Sequence, residues 1–120
     1  MAVIQKLLIS IVALIHFVFM WVEMFRWEER GPDIFPAFPP EFFPQTSAMA
    51  ANQGLYNGFL AAGLIWSLLI GDAAWAKNIV LFFLGCVLIA GLYGAATVTK
   101  RILYVQTIPA ALAIAAVLFT

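Results

Sequence analysis

The chain has 120 residues, 65% of them hydrophobic and 10% charged, with zero formal net charge and a mean hydropathy of +1.03. A soluble domain of this size is about 45–50% apolar and about 25% charged, so the composition excludes an ordinary water-facing surface and points to lipid as the solvent. No basic run could track a nucleic-acid backbone, and the single cysteine, Cys86, has neither a disulfide mate nor a Cys or His at metal-ligand spacing; nucleic acid, a metal site and a cofactor are all set aside.

Crossing a hydrocarbon core takes about 20 apolar residues in a helix. Four segments approach that length: 3–25, 47–70, 78–98 and 102–119. None alternates apolar with polar residues, which excludes the strands of a closed barrel. The first segment outruns the apolar core of a secretory signal, roughly 7–15 residues, and its far half is aromatic, "HFVFMWVEMF". It reads as a retained span. It carries His16 and Glu23, two turns apart on one face with Met20 between them. Their backbones stand about 10 Å apart along the axis, too far for a direct bond. The span closes on "RWEERGPD".

Residues 31–46 form the first loop, within "GPDIFPAFPPEFFPQTS", which holds five prolines and four phenylalanines. Proline blocks helix continuation. Four phenylalanines exposed to water would be costly, so the loop is expected to lie among headgroups as an anchor or to fold over the bundle end as a lid. Thr46 or Ser47 is placed to cap the second helix.

The second helix contains "AANQGLYNGFLAAG". On a wheel with Asn52 at the origin, Tyr56 falls at about 40°, Gln53 at about 100° and Asn57 at about 140°. These four form one polar patch. Gly54, Gly58 and Ala62 run beside it at i, i+4 and i+8, a spacing that lets another helix, or a second copy of the chain, approach closely. The third helix sets Cys86, Tyr93 and Thr97 on one face and adds the small pairs Ala90–Gly94 and Gly91–Ala95. Cys86 reads as a small packing residue. The fourth helix carries Gln106 and Pro109; the proline frees the carbonyl of Val105 and invites a kink.

The links after the second and third helices are short, which forces antiparallel neighbours. The expected fold is therefore all-α: a four-span antiparallel transmembrane helix bundle, one membrane domain over residues 1–120, with both termini on one side. Arg26, Arg30, Lys100 and Arg101 then share one face of the membrane, and Lys6 and Lys77 the other. Basic residues favour the cytoplasmic side of short loops. This places both termini outside a plasma (inner) membrane.

Polar and ionisable groups at membrane depth cost energy and turn inward. Each has a bland role open to it: a backbone partner for His16, snorkelling for Glu23, interhelical glue of about 0.6–2 kcal/mol for the carboxamides. His16, Glu23, Asn52, Gln53, Tyr56, Asn57, Tyr93, Thr97 and Gln106 come from all four helices, however, which exceeds what glue requires. Together they suggest a polar pocket inside the bundle for a lipophilic small molecule such as a quinone, sterol or terpenoid. There His16 and Glu23 are the candidate catalytic pair for proton exchange, and the other seven are candidate ligand-binding residues. The residues fit binding alone as well as isomerisation.

The stretches "LIHFVFMWVEMFRW", "AANQGLYNGFLAAGLIW", "FFLGCVLIAGLYGA" and "VQTIPA" together resemble a family of small membrane proteins catalogued as domain of unknown function 1304. The resemblance covers nearly the whole chain. It implies a four-span integral membrane protein and no activity. The residues within its motifs are His16, Glu23, Asn52, Gln53, Tyr56, Asn57, Tyr93, Gln106 and Pro109.

Two other functions compete. Small multidrug exporters also have four short helices and a key glutamate in the first, so a dimeric proton-coupled transporter is one alternative, although Glu23 sits near its helix end. The other is a structural membrane subunit whose polar face binds a partner helix.

Overall fold

The computed structural model describes Met1–Thr120, and every regular element in it is helical. In chain order these are α1 (Val3–Phe25), α2 (Trp27–Ile34), α3 (Phe42–Gln45), α4 (Ser47–Leu69), α5 (Ala73–Thr97) and a π-helical segment, Leu103–Thr107, that runs into α6 (Ile108–Phe119). α1 and α5 are each long and apolar enough to cross a membrane; Leu103–Phe119 is a shorter apolar helix. The chain divides into two compact units: Met1–Ile15 with Leu60–Thr120, and His16–Phe59.

The first unit is built around one apolar core. α1 contributes Ile9, Val12 and Ala13, α4 contributes Leu64, α5 contributes Val80, Leu84 and Val87, and α6 contributes Ala110, Ala113 and Val117. The spacings of three and four residues are those of a single helical face. α5 and the π-helical segment approach closely because Gly91 has no side chain: a Cβ there would lie 3.0 Å from the Thr107 nitrogen and 3.2 Å from its Cα. α5 begins at Ala73, five residues before the apolar run at Asn78, because the Asp72 carboxylate accepts the amide hydrogen of Trp75 at 3.0 Å and caps the first turn.

Pro109 does distort the last helix, as its missing amide requires, and the distortion takes the form of a π turn. The Ile108 amide reaches back five residues to the Leu103 carbonyl. The widened turn makes room where the proline ring would otherwise press on the Val105 carbonyl. Thr107 is buried in this segment, and its hydroxyl has no hydrogen-bond partner.

The second unit joins the end of α1, the start of α4 and the segment between them. Arg26 leaves helical geometry (φ −135°, ψ 22°), and the chain restarts as α2. Residues 31–46 are not wholly irregular: Pro32 lies inside α2, and Pro44 sits in the four-residue α3. Pro44 is tolerated because amides of a first helical turn have no intrahelical acceptor.

The phenylalanines of this segment gather on Trp27. Its ring meets Phe43 at 5.3 Å and Phe35 at 5.9 Å between centroids, Phe38 stacks on Phe42 at 4.4 Å, and Phe43 is fully buried. Gly31 lets the aromatic rings close, since a Cβ there would stand 2.7 Å from Phe43 Cδ1. The hydroxyls of Thr46 and Ser47 do not cap α4. They donate backward to the carbonyls of Phe42 (2.7 Å) and Phe43 (3.1 Å), closing α3 instead.

Candidate functional site

α1 buries three polar residues, while its Lys6 and Ser10 are exposed. Gln5, Ile9, Val12, His16 and Glu23 recur at helical spacing and are all buried. Three of the five are polar, so each must find a partner. Gln5 does so locally: its Oε1 accepts the Ala2 amide at 2.8 Å, and its Nε2 donates to the Ala116 carbonyl at 3.0 Å.

Glu23 is served by α4. Gln53 Nε2 donates to Glu23 Oε2 at 2.8 Å, and Asn57 Nδ2 donates to Glu23 Oε1. Gln53 and Asn57 are four residues apart, one turn on one face, so each carboxylate oxygen receives one amide. The approach is close because glycine lies between them. A Cβ on Gly54 would stand 2.8 Å from Met24 Cγ and 2.9 Å from Glu23 Cβ, and one on Gly58 would stand 2.7 Å from Met20 Sδ. No lysine or arginine pairs with Glu23; the structure's one ion pair joins Arg26 to Glu29 at the surface. Each carboxylate oxygen keeps lone-pair capacity, and the Gln53 and Asn57 side-chain carbonyls are acceptors as well. The second amide hydrogen of each carboxamide is also uncommitted, so the cluster offers both donors and acceptors.

His16 is fully buried, edge-on to Phe19 at 5.9 Å between centroids. It lies two turns from Glu23 on the same stripe of α1. The other expected site residues divide. Asn52 is exposed. Tyr56 is 56% exposed and Tyr93 72% exposed. Thr97 is exposed, with its hydroxyl returned to the Tyr93 carbonyl at 2.7 Å. Gln106 and the free Cys86 are partly buried. The four-residue polar patch of α4 therefore splits by bonding and not by burial: Gln53, itself exposed, and half-buried Asn57 bond Glu23, while Asn52 and Tyr56 are exposed and do not. Nowhere do three His, Cys, Asp or Glu side chains gather as a metal would need.

Sequence reasoning did not single out three polar residues that the structure makes notable. Gln5 could have been found from its place on the Ile9–Val12–His16 stripe. Trp27 Nε1 donates to Thr46 Oγ1 at 3.0 Å, a bond across 19 residues that no local pattern encodes. The buried Thr107 hydroxyl gives no signal in the sequence beyond its nearness to Pro109.

Comparison with known proteins agrees with this composition of motifs. A relative described as an uncharacterized protein, YpaA, from Lactococcus lactis subsp. lactis (strain IL1403) is 29% identical over 108 residues, covering 88% of this chain and 89% of the relative. No solved structure matches the chain. The family model described as protein of unknown function (DUF1304) matches residues 10–118, which takes in Glu23, Gln53 and Asn57 together with His16, and the chain belongs to that family.

Proposed function

We propose that this is a four-span integral membrane protein that binds a lipophilic small molecule through the Glu23 cluster. The observation that carries the reading is a buried carboxylate clamped by two carboxamides, on the same helix stripe as a buried imidazole. Interhelical glue needs one such bond; here two amides from one helix converge on a single acid. The ligand's polar end is a group that both donates and accepts, such as a hydroxyl, because the cluster keeps carboxylate and carbonyl acceptors and the second amide hydrogens of Gln53 and Asn57. His16 lies two turns deeper along α1, where it would meet the body of the same molecule. Imidazole and carboxyl together suit proton exchange with the ligand, so isomerisation of a sterol-, quinone- or terpenoid-like compound is the reaction class that fits.

The membrane part of the proposal is supported by what α4 shows on its outside. Met49, Leu55, Phe59, Trp66 and Leu69 are exposed while Asn57 turns to Glu23. Five exposed apolar side chains on one helix fit a lipid-facing surface, on which Asn52, Gln53 and Tyr56 are also exposed.

The test is extraction of lipophiles from protein purified in mild detergent, followed by mass spectrometry. Wild type should retain a compound that Glu23→Gln and Asn57→Ala lose by about tenfold, while Tyr93→Phe, at an exposed position, retains it. Equal recovery from all four, or none from any, would overturn the reading.

A further inference from the structure

A second polar feature lies in the first unit, at the end where α4 turns into α5. A cleft of about 340 Å³ opens there, walled by Met1, Gln5 and Lys6 at the start of the chain, Ser67 of α4, Lys77 of α5 and Thr120. Its volume is within the range of small-ligand sites, about 300–1,000 Å³. Lys6 and Lys77 are both exposed, and neither joins an ion pair. No aspartate or glutamate lines the cleft. Asp72 is close in sequence, but its carboxylate accepts the Trp75 amide at 3.0 Å as the α5 cap. Lys6 and Lys77 thus line one concave space together with Met1, Gln5, Ser67 and Thr120, with no carboxylate side chain among them. The Ser67 hydroxyl donates to the Leu64 carbonyl at 2.6 Å and Gln5 is already bonded, so both are held in place.

The surroundings are those of a membrane interface. Trp66 and Trp75 flank the turn at 54% and 60% exposure, and Leu69 is 77% exposed. Tryptophan at both ends of a helical turn, with lysine beside it, marks headgroup depth. On α1, Leu7, Ile11 and Leu14 continue an exposed apolar wall away from Lys6.

We infer that this cleft binds the phosphate of an anionic phospholipid, with Lys6 and Lys77 holding the headgroup and the acyl chains lying along the exposed leucines and isoleucine of α1. The inference rests on the membrane part of the proposed function and not on the Glu23 cluster. Two lysines at a bilayer surface each favour an anionic lipid by about fivefold.

The experiment titrates the purified full chain, in neutral detergent, with dioleoylphosphatidylglycerol, dioleoylphosphatidylcholine or soluble glycerol 1-phosphate, and counts bound lipid by native mass spectrometry. Wild type should prefer phosphatidylglycerol over phosphatidylcholine by tenfold or more. Lys6→Gln and Lys77→Gln should each lose about fivefold of that preference, and the double variant should lose it all. Lys6→Arg with Lys77→Arg should keep it, which separates charge from folding. Lys100→Gln, outside the cleft, should leave it unchanged. Equal binding of the two lipids, or a preference that survives in the double glutamine variant, would overturn the inference. Glycerol 1-phosphate binding as tightly as the lipid would overturn the lipid assignment in favour of a soluble phosphate. The wild type, Glu23→Gln and Asn57→Ala lipophile measurements stand apart from all of these outcomes, so one proposal can fail without the other.

Discussion

Gly54 and Gly58 lie one turn apart on α4 and face the same stretch of α1, yet a methyl group would meet different obstacles at the two positions. At Gly54 it would press on Met24 Cγ, on Glu23 Cβ and, at 3.2 Å, on the Met20 carbonyl oxygen. Backbone, and a Cβ attached directly to it, cannot move aside cheaply. At Gly58 the near neighbour is Met20 Sδ, the flexible end of a thioether. Alanine also gains about 1 kcal/mol over glycine in a helix interior. Gly54→Ala should therefore lose about 1–3 kcal/mol through overpacking, whereas Gly58→Ala should be neutral or slightly stabilising. Thermal unfolding in detergent reads both; equal losses would mean that α4 does not lie against α1 as described. The sequence names Glu23, Gln53 and Asn57 but does not pair them. A helical wheel says which side chains share a face. It cannot say where a neighbour stands, and so it put Asn52 and Tyr56 in one patch with Gln53 and Asn57. The true division falls within that patch, because the glycine groove admits Glu23 to one side of it only. Tyr93 and Thr97 share a face as expected, and that face is exposed.

The helices were legible where apolar length alone decides them. α1 spans the same 23 residues in sequence and structure, and α4 differs by a single residue at its end. Capping chemistry decided the rest. The "GDAAWAK" link reads as a turn because it is less apolar than its neighbours, but alanine and lysine are good helix formers, and Asp72 supplies the acceptor that starts the helix early. Asp72→Ala should cost about 1 kcal/mol, and Asp72→Asn much less, since asparagine caps as well as aspartate. Circular dichroism during heating measures the difference. A null effect for both would place the start of α5 beyond Trp75. The proline-rich segment misled for a related reason. Prolines were counted as breaks, yet Pro44 occupies a first turn where it removes nothing. The phenylalanines between them needed a partner, and Trp27 provides one that lies within eight residues of the nearest.

Over the whole chain the apolar exterior is the dominant physical fact. Val3, Leu7, Leu14 and Trp21 of α1, Phe82 and Ile89 of α5 and Leu112 of α6 are exposed, as are the five apolar residues of α4 named above. α1 and α5 have the length and hydropathy of spans by themselves; α4 is equally long but more polar. Whether α4 crosses therefore decides the topology, and cysteine labelling can read it. In a Cys86→Ala background, Ala2→Cys, Glu29→Cys and Gly71→Cys report three successive ends. If α1 and α4 both cross, Gly71→Cys reacts with an impermeant maleimide from the same side as Ala2→Cys, and Glu29→Cys from the other. If only α1 and α5 cross, Gly71→Cys joins Glu29→Cys. The four-span result is expected because the carboxamides that lower the hydropathy of α4 include Gln53 and Asn57, each of which has one donor bonded to Glu23. A polar group already satisfied within the protein costs little in lipid, so hydropathy summed residue by residue undercounts this helix. In a four-span arrangement Arg26, Arg30, Lys100 and Arg101 would lie on the Glu29 side against Lys6 and Lys77 on the other, and the bias of basic residues toward the cytoplasm then sets the expected direction. Labelling of Ala2→Cys and Gly71→Cys on intact cells, with Glu29→Cys reacting only after the membrane is opened, is the outcome this requires.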